Sequence, residues 1–589
     1  MHIKSFYNKK SRMIAERFLI SRRHPQLILF YGVIILLFFP LKSNWNFPDV
    51  LNKAALATEG KANPSNSIYL NIAQASTQSP DLHGPLRVST INPRYFTVDD
   101  RKAVYLSGSH IWNNFQDSDS DDTLPYPTDF SQWLDFLQEN NQNFIRLWTW
   151  EQSIWVVEST TPYYFNPMPY ERTGPGSSAD GGAKFDLSRF NQGYFDRMRA
   201  RIVEAGNREM YVSIMLFNGW SIEFPKSDNA EANPWQGHPF NSANNINGVD
   251  GDLNNDDSGS ETHTMASAEI TKIQEAYVRK VIDTVNDLDN VLYEISNESP
   301  ADSSIWQYHM INYIKNYEAS LPKQHPVGMT SEYPLGSNEE LFNSPADWIS
   351  PNNYEDPPSS DGRKVIIADT DHICGLCGDR VWVWKSFTKG LNLLFMDRYD
   401  DSYRIYGGGY DMNNPNDVDL RINLGYVRTY ADRMNLLAMT PRDDLCSTSY
   451  CLANPVGNGA EYLVYLPLDE NEVTLDLSNS PGSLLVEWFD PNNNTRLEGN
   501  MVQGGGLEDF TSPFPYDAVL YVYDSALTIP SPMPTDTLTP PDPPTPTGTP
   551  PSSSPATPSS PLSCFTTAIL LVLLSIASTT ILQHTRKSL

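Results

Sequence analysis

At 589 residues, with 40% hydrophobic and 12% aromatic residues, the chain can build several domains with large cores, which excludes a small cross-linked scaffold and global disorder. Asp and Glu outnumber Lys and Arg by 71 to 42, and a surface of that sign repels phosphate backbones, because nucleic-acid affinity comes largely from Lys and Arg displacing condensed counterions. Nucleic-acid binding is excluded on that ground.

The N-terminal segment, 1–42, is basic where the rest is acidic: it carries Lys4, Lys9, Lys10, Arg12, Arg17, Arg22, Arg23 and Lys42 against the single acid Glu16. Its uncharged stretch at 27–41 is short for a stable span of about 20 residues and suits a signal peptide or a tilted signal anchor. Residues 43–85 read as a linker. At the other end, 526–562 is a stalk rich in Pro, Ser and Thr, with 13 prolines between 529 and 562. In extended form it reaches roughly 100 Å. An apolar segment at 563–583 and a tail at 584–589 with Arg586 and Lys587 read as a transmembrane helix and a cytoplasmic end. The expectation is a cell-surface, membrane-anchored, extracellular protein.

From 86 to 440, short apolar strands alternate with amphipathic stretches. Strands are predicted at 103–109, 144–148, 210–217, 291–296, 327–331, 348–352, 365–369 and 391–396. Eight is the number that closes a (β/α)8 TIM barrel. Phe190, Phe195, Met198, Ile202 and Val203, with Gly206 as C-cap, form one helical stripe; Ile270, Ile273, Tyr277, Val281, Val285 and Leu288 form another. An open doubly wound sheet would alternate in the same way, but no Gly-x-Gly-x-x-Gly follows the first strand. After Pro441 the pattern changes to short alternating runs at 462–468, 472–477, 484–489 and 518–523, which predict an all-β sandwich over 441–525.

In such a barrel the chemistry sits just past the strand ends. These positions hold His110, Trp112, Asn113, Arg146, Trp148, Trp150, Glu151, Trp220, Asn297, Glu298, Glu332, Tyr354, Glu355, Asp369, Asp371 and His372. Carboxylates mixed with tryptophans are what glycoside hydrolysis requires: one acid protonates the leaving oxygen, a second carboxylate attacks or activates water, and flat rings stack on sugars. No cofactor is required. The competing class is a non-catalytic surface protein that binds glycan or matrix through the same scaffold. A protease has little in its favour, since none of the ten histidines is followed by Glu and no nucleophile elbow is present.

Two further patterns concern metals and disulfides. Asp250, Asp252, Asn254, Asp256, Ser258 and Glu261 follow the ligand spacing of a calcium loop, with Asn255 where the turn favours Gly; a structural calcium is weighed there against a solvated acidic loop. Cys374, Cys377, Cys446 and Cys451 allow two local disulfides. Cys374 and Cys377 beside His372 also form half a zinc site that no second pair completes.

Ile295-Ser296-Asn297-Glu298 at the fourth strand's end resembles the Asn-Glu signature of the clan A glycoside hydrolases, including the cellulase-like family 5 barrels. The resemblance implies Glu298 as general acid/base, Asn297 as ligand of the hydroxyl next to the anomeric carbon, Arg146 as orienter of the carboxylates, and His110 and Tyr354 as sugar-binding or nucleophile-orienting residues. That clan places a nucleophilic Glu at the end of strand seven, where this chain has Asp369 and Asp371. Asp is one methylene shorter, which leaves open whether the carboxyl groups stand at the roughly 5 Å of a retaining site or the roughly 6.5–9.5 Å of an inverting one. Glu332 or Glu355 are alternatives for the second carboxylate. Residues 462–467, 486–491, 510–514 and 517–520 resemble the collagen-binding-type β-domain that often follows such barrels.

Overall fold

The computed structural model describes residues 84–119, 129–156, 162–222, 233–334, 336–399 and 411–527. The segments read as signal or anchor, transmembrane helix and cytoplasmic tail lie outside the described residues, as does nearly all of the linker and of the stalk. Among the described residues no helix is long and apolar enough to cross a membrane.

Eight parallel strands close into a barrel: β1 (Ser107–His110), β2 (Phe144–Leu147), β3 (Tyr211–Asn218), β4 (Val291–Asn297), β5 (Val327–Thr330), β6 (Trp348–Ser350), β7 (Val365–Asp369) and β8 (Asn392–Met396). Closure pairs Met396 of β8 with His110 of β1, and Gly108 of β1 with Phe144 of β2. The strands are buried on both faces, which is why they read as continuous apolar runs. The run at 103–109 divides in the structure. Ala103–Val104 joins Phe96–Thr97 and Arg87–Val88 in a separate sheet, and only the later part enters the barrel.

The outer layer comprises α1 (Phe130–Glu139), α2 (Gln192–Gly206), α3 (Ala268–Val285), α4 (Ser304–Glu318), α5 (Asn338–Asn343), α6 (Arg380–Thr388) and α7 (Pro415–Arg433). Among the described residues β6 and β7 are joined without a helix. The Ser267 side chain caps α3 by accepting from the Ile270 N–H, and Ile270, Tyr277, Val281 and Val285 face the core as their spacing predicts. Asn191 caps α2, so Phe190 lies before the helix, at the end of a strand. That strand, Ala183–Phe190, pairs with Tyr170–Ser177 in a hairpin inserted between β2 and α2.

The sandwich has a seven-stranded sheet in the order Thr440–Pro441, Cys451–Asn454, Glu461–Leu466, Ala518–Asp524, Gly482–Asp490 and Thr495–Glu498, with Val502–Gly504 also on Gly482–Asp490. A two-stranded sheet, Glu472–Asp476 with Leu507–Thr511, covers one face, enclosing Val464, Val473, Leu475, Trp488, Phe510 and Leu520. The other face packs on the barrel. Tyr465 stacks on Trp384 of α6 with centroids 6.3 Å apart, and Phe489 and Tyr521 meet Tyr430 of α7. Glu461–Leu466 is therefore buried on both sides, which its unbroken apolar sequence reflects.

Arg380 at the start of α6 fixes this junction, its Nε and Nη2 donating to the fully buried Asp517 at 3.0–3.1 Å. Arg380→Ala would strand a buried carboxylate, and a loss of about 3–5 kcal/mol in urea unfolding is expected. A loss below about 1 kcal/mol would show the pair to be dispensable.

Candidate active site

Arg146 projects from β2 into the barrel, fully buried. Its Nε donates to both oxygens of Glu294 on β4, at 3.1 and 2.9 Å, and its Nη2 also contacts Glu294. Nη2 also donates to Asn297 Oδ1 at 2.8 Å, while Nη1 reaches Asp369 Oδ2 at 3.4 Å and Asp371 Oδ2 at 3.3 Å. Burial alone would lower the Arg146 pKa; Glu294, Asp369 and Asp371 outweigh it and hold the guanidinium charged. One cation therefore links the ends of strands β4 and β7.

Asp369, the last residue of β7, accepts the Asp371 N–H at 3.0 Å and lies 3.3 Å from His110 Nε2 of β1. Burial opposes its ionisation, but His110, His372 and Arg146 hold its pKa below the usual carboxylate range. Asp371, two residues further on with its side chain 10% exposed, has the opposite balance. Burial first, then the charges of Glu298 and Asp369, raise its pKa well above the ordinary value against the pull of Arg146. Burial pushes His372 down to about 3. The neutral ring fits its contacts: the Ser350 hydroxyl lies 2.8 Å from Nδ1, so Nε2–H donates to Asn297 Oδ1 at 3.3 Å. With Oδ1 taken by two donors, Asn297 Nδ2 is left without a partner among the described residues.

Glu298 follows β4 directly and is 5% exposed. Its Oε2 accepts from the indole N–H of Trp220, which sits on the turn Gly219–Ser221 after β3. Trp220 in turn stacks on Tyr333 beyond β5, centroids 6.2 Å apart. Gly219 makes the approach of the two strand ends possible, since a Cβ there would stand 2.2 Å from the Glu298 carbonyl oxygen. Gly219→Ala is expected to displace Glu298 and cost about 1–3 kcal/mol, the usual range for overpacking, read by thermal unfolding; a variant with unchanged Tm would show that the backbone yields freely.

His110, Asp369 and Asp371 bring an imidazole and two carboxylates within 4.8 Å of one another, a grouping that suits a cation. Arg146 already supplies positive charge at 3.3–3.4 Å from both carboxylates.

Other expected residues take different places. Trp112, Trp148 and Trp150 are not open sugar platforms: they pack with Trp155, Phe165, Met168 and Trp235 in a buried cluster under the inserted hairpin. His110 and Arg146 lie over Trp148, at 5.3 and 5.1 Å from its ring centroid. Asn113 is buried too. Of the four expected tryptophans only Trp220 is partly exposed. Tyr354 belongs to the main hydrophobic core at 7% exposure and is not gathered with the carboxylates. Glu332 is spent on Ser303 and Ser304 at the start of α4, at 3.0 and 2.7 Å, and burial pushes its pKa up to about 7; Glu355 is exposed.

In the acidic loop, Asp252 accepts the N–H groups of Asp256 and Asp257, and Asp256 that of Ser258, all at 3.0 Å. Asp250 accepts from Ser242 at 2.7 Å, and Asn254 donates to Asp256 at 3.0 Å. Only Glu261, raised by burial and by Asp256 and Asp252, keeps the character of a crowded acid. The alternating oxygens hold the loop's own backbone, with Asn255 left-handed at φ 61° as its position predicts. Cys374 and Cys377 form a disulfide, which removes the half zinc site, whereas Cys446 and Cys451 are buried thiols in contact with each other, not the second disulfide expected.

Sequence reading missed Glu294, His238 and His263, and did not single out Glu151 among the rim acids. Glu294 is an acid inside an apolar strand, a signal that was available. The two histidines are far from any strand end. Both face Glu151, at 3.4 and 3.2 Å.

The fold and rim define a (β/α)8 barrel with a carboxylate- and arginine-lined C-terminal mouth, joined to a β-sandwich. Residues 146–333, from Arg146 through Glu298 to Tyr333, match the family model described as Domain of unknown function (DUF6298). No curated protein matches the chain. Among solved structures it is similar to a chain titled "Glycoside hydrolase", with TM-score 0.50 and 12% identity over 75% of this chain and 98% of that one. It also resembles a glycoside hydrolase family 5 protein from Bacteroides vulgatus ATCC 8482 (TM-score 0.48, 14% identity, 76% of this chain and 94% of that one). A family 5 mannosidase from Rhizomucor miehei gives TM-score 0.37 and 13% identity over 59% of this chain and 99% of that one. At such identities the likeness is one of fold.

Proposed function

We propose that the protein is a glycoside hydrolase that cleaves O-glycosidic bonds of a poly- or oligosaccharide with Glu298 and Asp371 as its carboxylate pair. The observation that carries this is the placement of the two carboxyls at the barrel mouth, Glu298 on the Trp220 indole and Asp371 on Arg146, near enough for the Glu298 charge to raise Asp371, an arrangement in which two carboxyls take different protonation states. With the proton on Glu298 its charge no longer raises Asp371, and Arg146 at 3.3 Å favours the Asp371 anion against burial and the Asp369 charge. That state has an acid for the leaving oxygen and a base or nucleophile for the opposite face. Asp371 attacks the anomeric carbon if the carboxyl groups stand about 5 Å apart, and activates water if they stand about 6.5–9.5 Å apart. Asp369 holds Arg146 and His110 in place. Asn297 Nδ2 offers a donor beside the reacting centre, and Trp220 with Tyr333 offers the aromatic wall.

The same proposal places the enzyme outside the cell, tethered through the stalk at 526–562 and the apolar segment at 563–583. Incubation with a panel of plant and microbial polysaccharides is expected to release new reducing ends from at least one of them. Binding of a glycan with no release from any would replace the hydrolase by a glycan-binding protein.

A further inference from the structure

Glu298 has φ 42°, in the left-handed region, which a non-glycine residue occupies under strain and only where its surroundings fix it. Three elements hold the peptide that follows. Gly219 packs against the Glu298 carbonyl and the Ser299 Cα. The Tyr333 N–H donates to the Ser299 carbonyl at 3.0 Å. The third contact is the Ser299 hydroxyl, which is fully buried and lies 2.9 Å from His263 Nδ1 and 2.6 Å from Ser296 Oγ.

His263 ends the turn Ser260–His263, to which the acidic loop leads. It is fully buried, and its ring lies flat on Trp306 with centroids 4.3 Å apart at 6°. Its Nε2 stands 3.2 Å from Glu151 Oε1. The same Glu151 oxygen accepts the Asn218 N–H at 2.7 Å, one residue before Gly219. Burial opposes ionisation of Glu151, but hydrogen bonds from His238 and His263 bring its pKa down to about 2.

A carboxylate only accepts, so His263 Nε2 carries a proton. In the neutral ring Nδ1 receives the Ser299 hydroxyl proton; in the charged ring Nδ1 donates and Ser299 donates onward to Ser296. The chain Glu151–His263–Ser299 is closed in both states and ends on the residue after Glu298. It ties the end of β2 to the ends of β3 and β4, which carry Trp220 and Glu298.

We propose that His263 is a positioning residue for the acid: the chain Glu151–His263–Ser299 fixes the strained Glu298 backbone and so keeps its carboxyl on the Trp220 indole, aligned with the leaving oxygen. This rests on the reading of Glu298 as proton donor. Misplacement of a catalytic group by about 1 Å costs up to about 100-fold. His263→Phe and the near-isosteric Ser299→Ala are therefore each expected to lower kcat on an unactivated oligosaccharide by about 10–100-fold with KM within about twofold. On the 2,4-dinitrophenyl glycoside of the same sugar, whose leaving group departs without a proton, the loss in kcat/KM, which reports only the steps up to breakage of the glycosidic bond, should stay under about threefold. The double variant should be no worse than His263→Phe, because both break one chain.

Equal losses on both substrates, or losses that multiply in the double variant, would overturn the proposal in favour of a general packing role. Glu298→Gln is the control: if it cleaves the unactivated substrate like the parent, the assignment of the acid fails, not the chain. A crystal structure of full-length Ser299→Ala gives a readout that needs no substrate. The Glu298 carboxyl is expected to have left hydrogen-bond reach of Trp220 Nε1, and an unmoved carboxyl overturns the proposal.

Discussion

Glu298→Gln is expected to lower kcat on an unactivated glycan by roughly 10²–10⁴-fold, the usual worth of a positioned general acid, with little change in KM. The amide matches the carboxyl in shape and still offers an oxygen to the Trp220 indole, so what is lost is the proton. The pH profile should change as well. After burial, Glu298 is the largest influence raising Asp371, and a neutral amide reproduces the state in which Glu298 already carries the proton. On an unactivated glycan the alkaline limb of kcat/KM set by deprotonation of the acid therefore disappears, while the acidic limb, which reports Asp371 beside a protonated partner, does not move to lower pH. Rates and both limbs measured from pH 3 to 9 decide this, and an alkaline limb that survives in the variant would mean that Glu298 is not the acid.

The parts of this arrangement that follow chain periodicity were legible in the sequence. Burial on both faces makes a barrel strand a continuous apolar run, so seven strands could be placed on that signal and the Asn297-Glu298 dipeptide fell at the end of the fourth; the first was placed only in part, because β1 is Ser-Gly-Ser-His and the apolar run before it joins another sheet. The α3 stripe and the left-handed Asn255 were readable for the same reason, since each depends on neighbours in sequence. What was not legible depends on partners far apart. Trp148 and Trp150 read as rim aromatics because strand ends point at the cleft, but the hairpin between β2 and α2 covers them. That hairpin includes Arg172-Thr173-Gly174-Pro175-Gly176, a glycine- and proline-containing stretch that signals a turn and not a strand. Asp369 and Asp371 looked interchangeable, being two residues apart, until β1 supplied His110 to one and β4 supplied Glu298 to the other. In the acidic loop the oxygens that follow a calcium spacing also cap the loop's own backbone, since alternate oxygens suit both arrangements.

Asp371→Asn and Asp369→Asn should both abolish most activity yet move stability in opposite directions. For Asp371 the folded-state pKa is raised, by burial, Glu298 and Asp369. The folded form thus binds the proton more tightly than an unfolded Asp with a pKa of about 3.9. That contribution is fully present below about pH 4 and is lost as pH rises through the folded value, so near neutrality an ionised Asp371 weakens the fold. Asn cannot ionise. Its Tm advantage over the parent is therefore expected to grow from pH 4 upward, to on the order of 1–3 °C, while kcat falls by roughly 10²–10⁴-fold. Asp369 is held below the usual range, since His110, His372 and Arg146 outweigh its burial. Its stabilisation is present above about pH 4 and lost as pH falls through the folded value. Asp369→Asn leaves Arg146 and His110 without that anion and should cost about 1.5–3 kcal/mol at pH 7. Differential scanning calorimetry of the three proteins across pH separates the signs. If Asp371→Asn lowers Tm at pH 7 as Asp369→Asn does, Asp371 is one more counter-ion of Arg146, and the catalytic pair must be sought elsewhere on the rim.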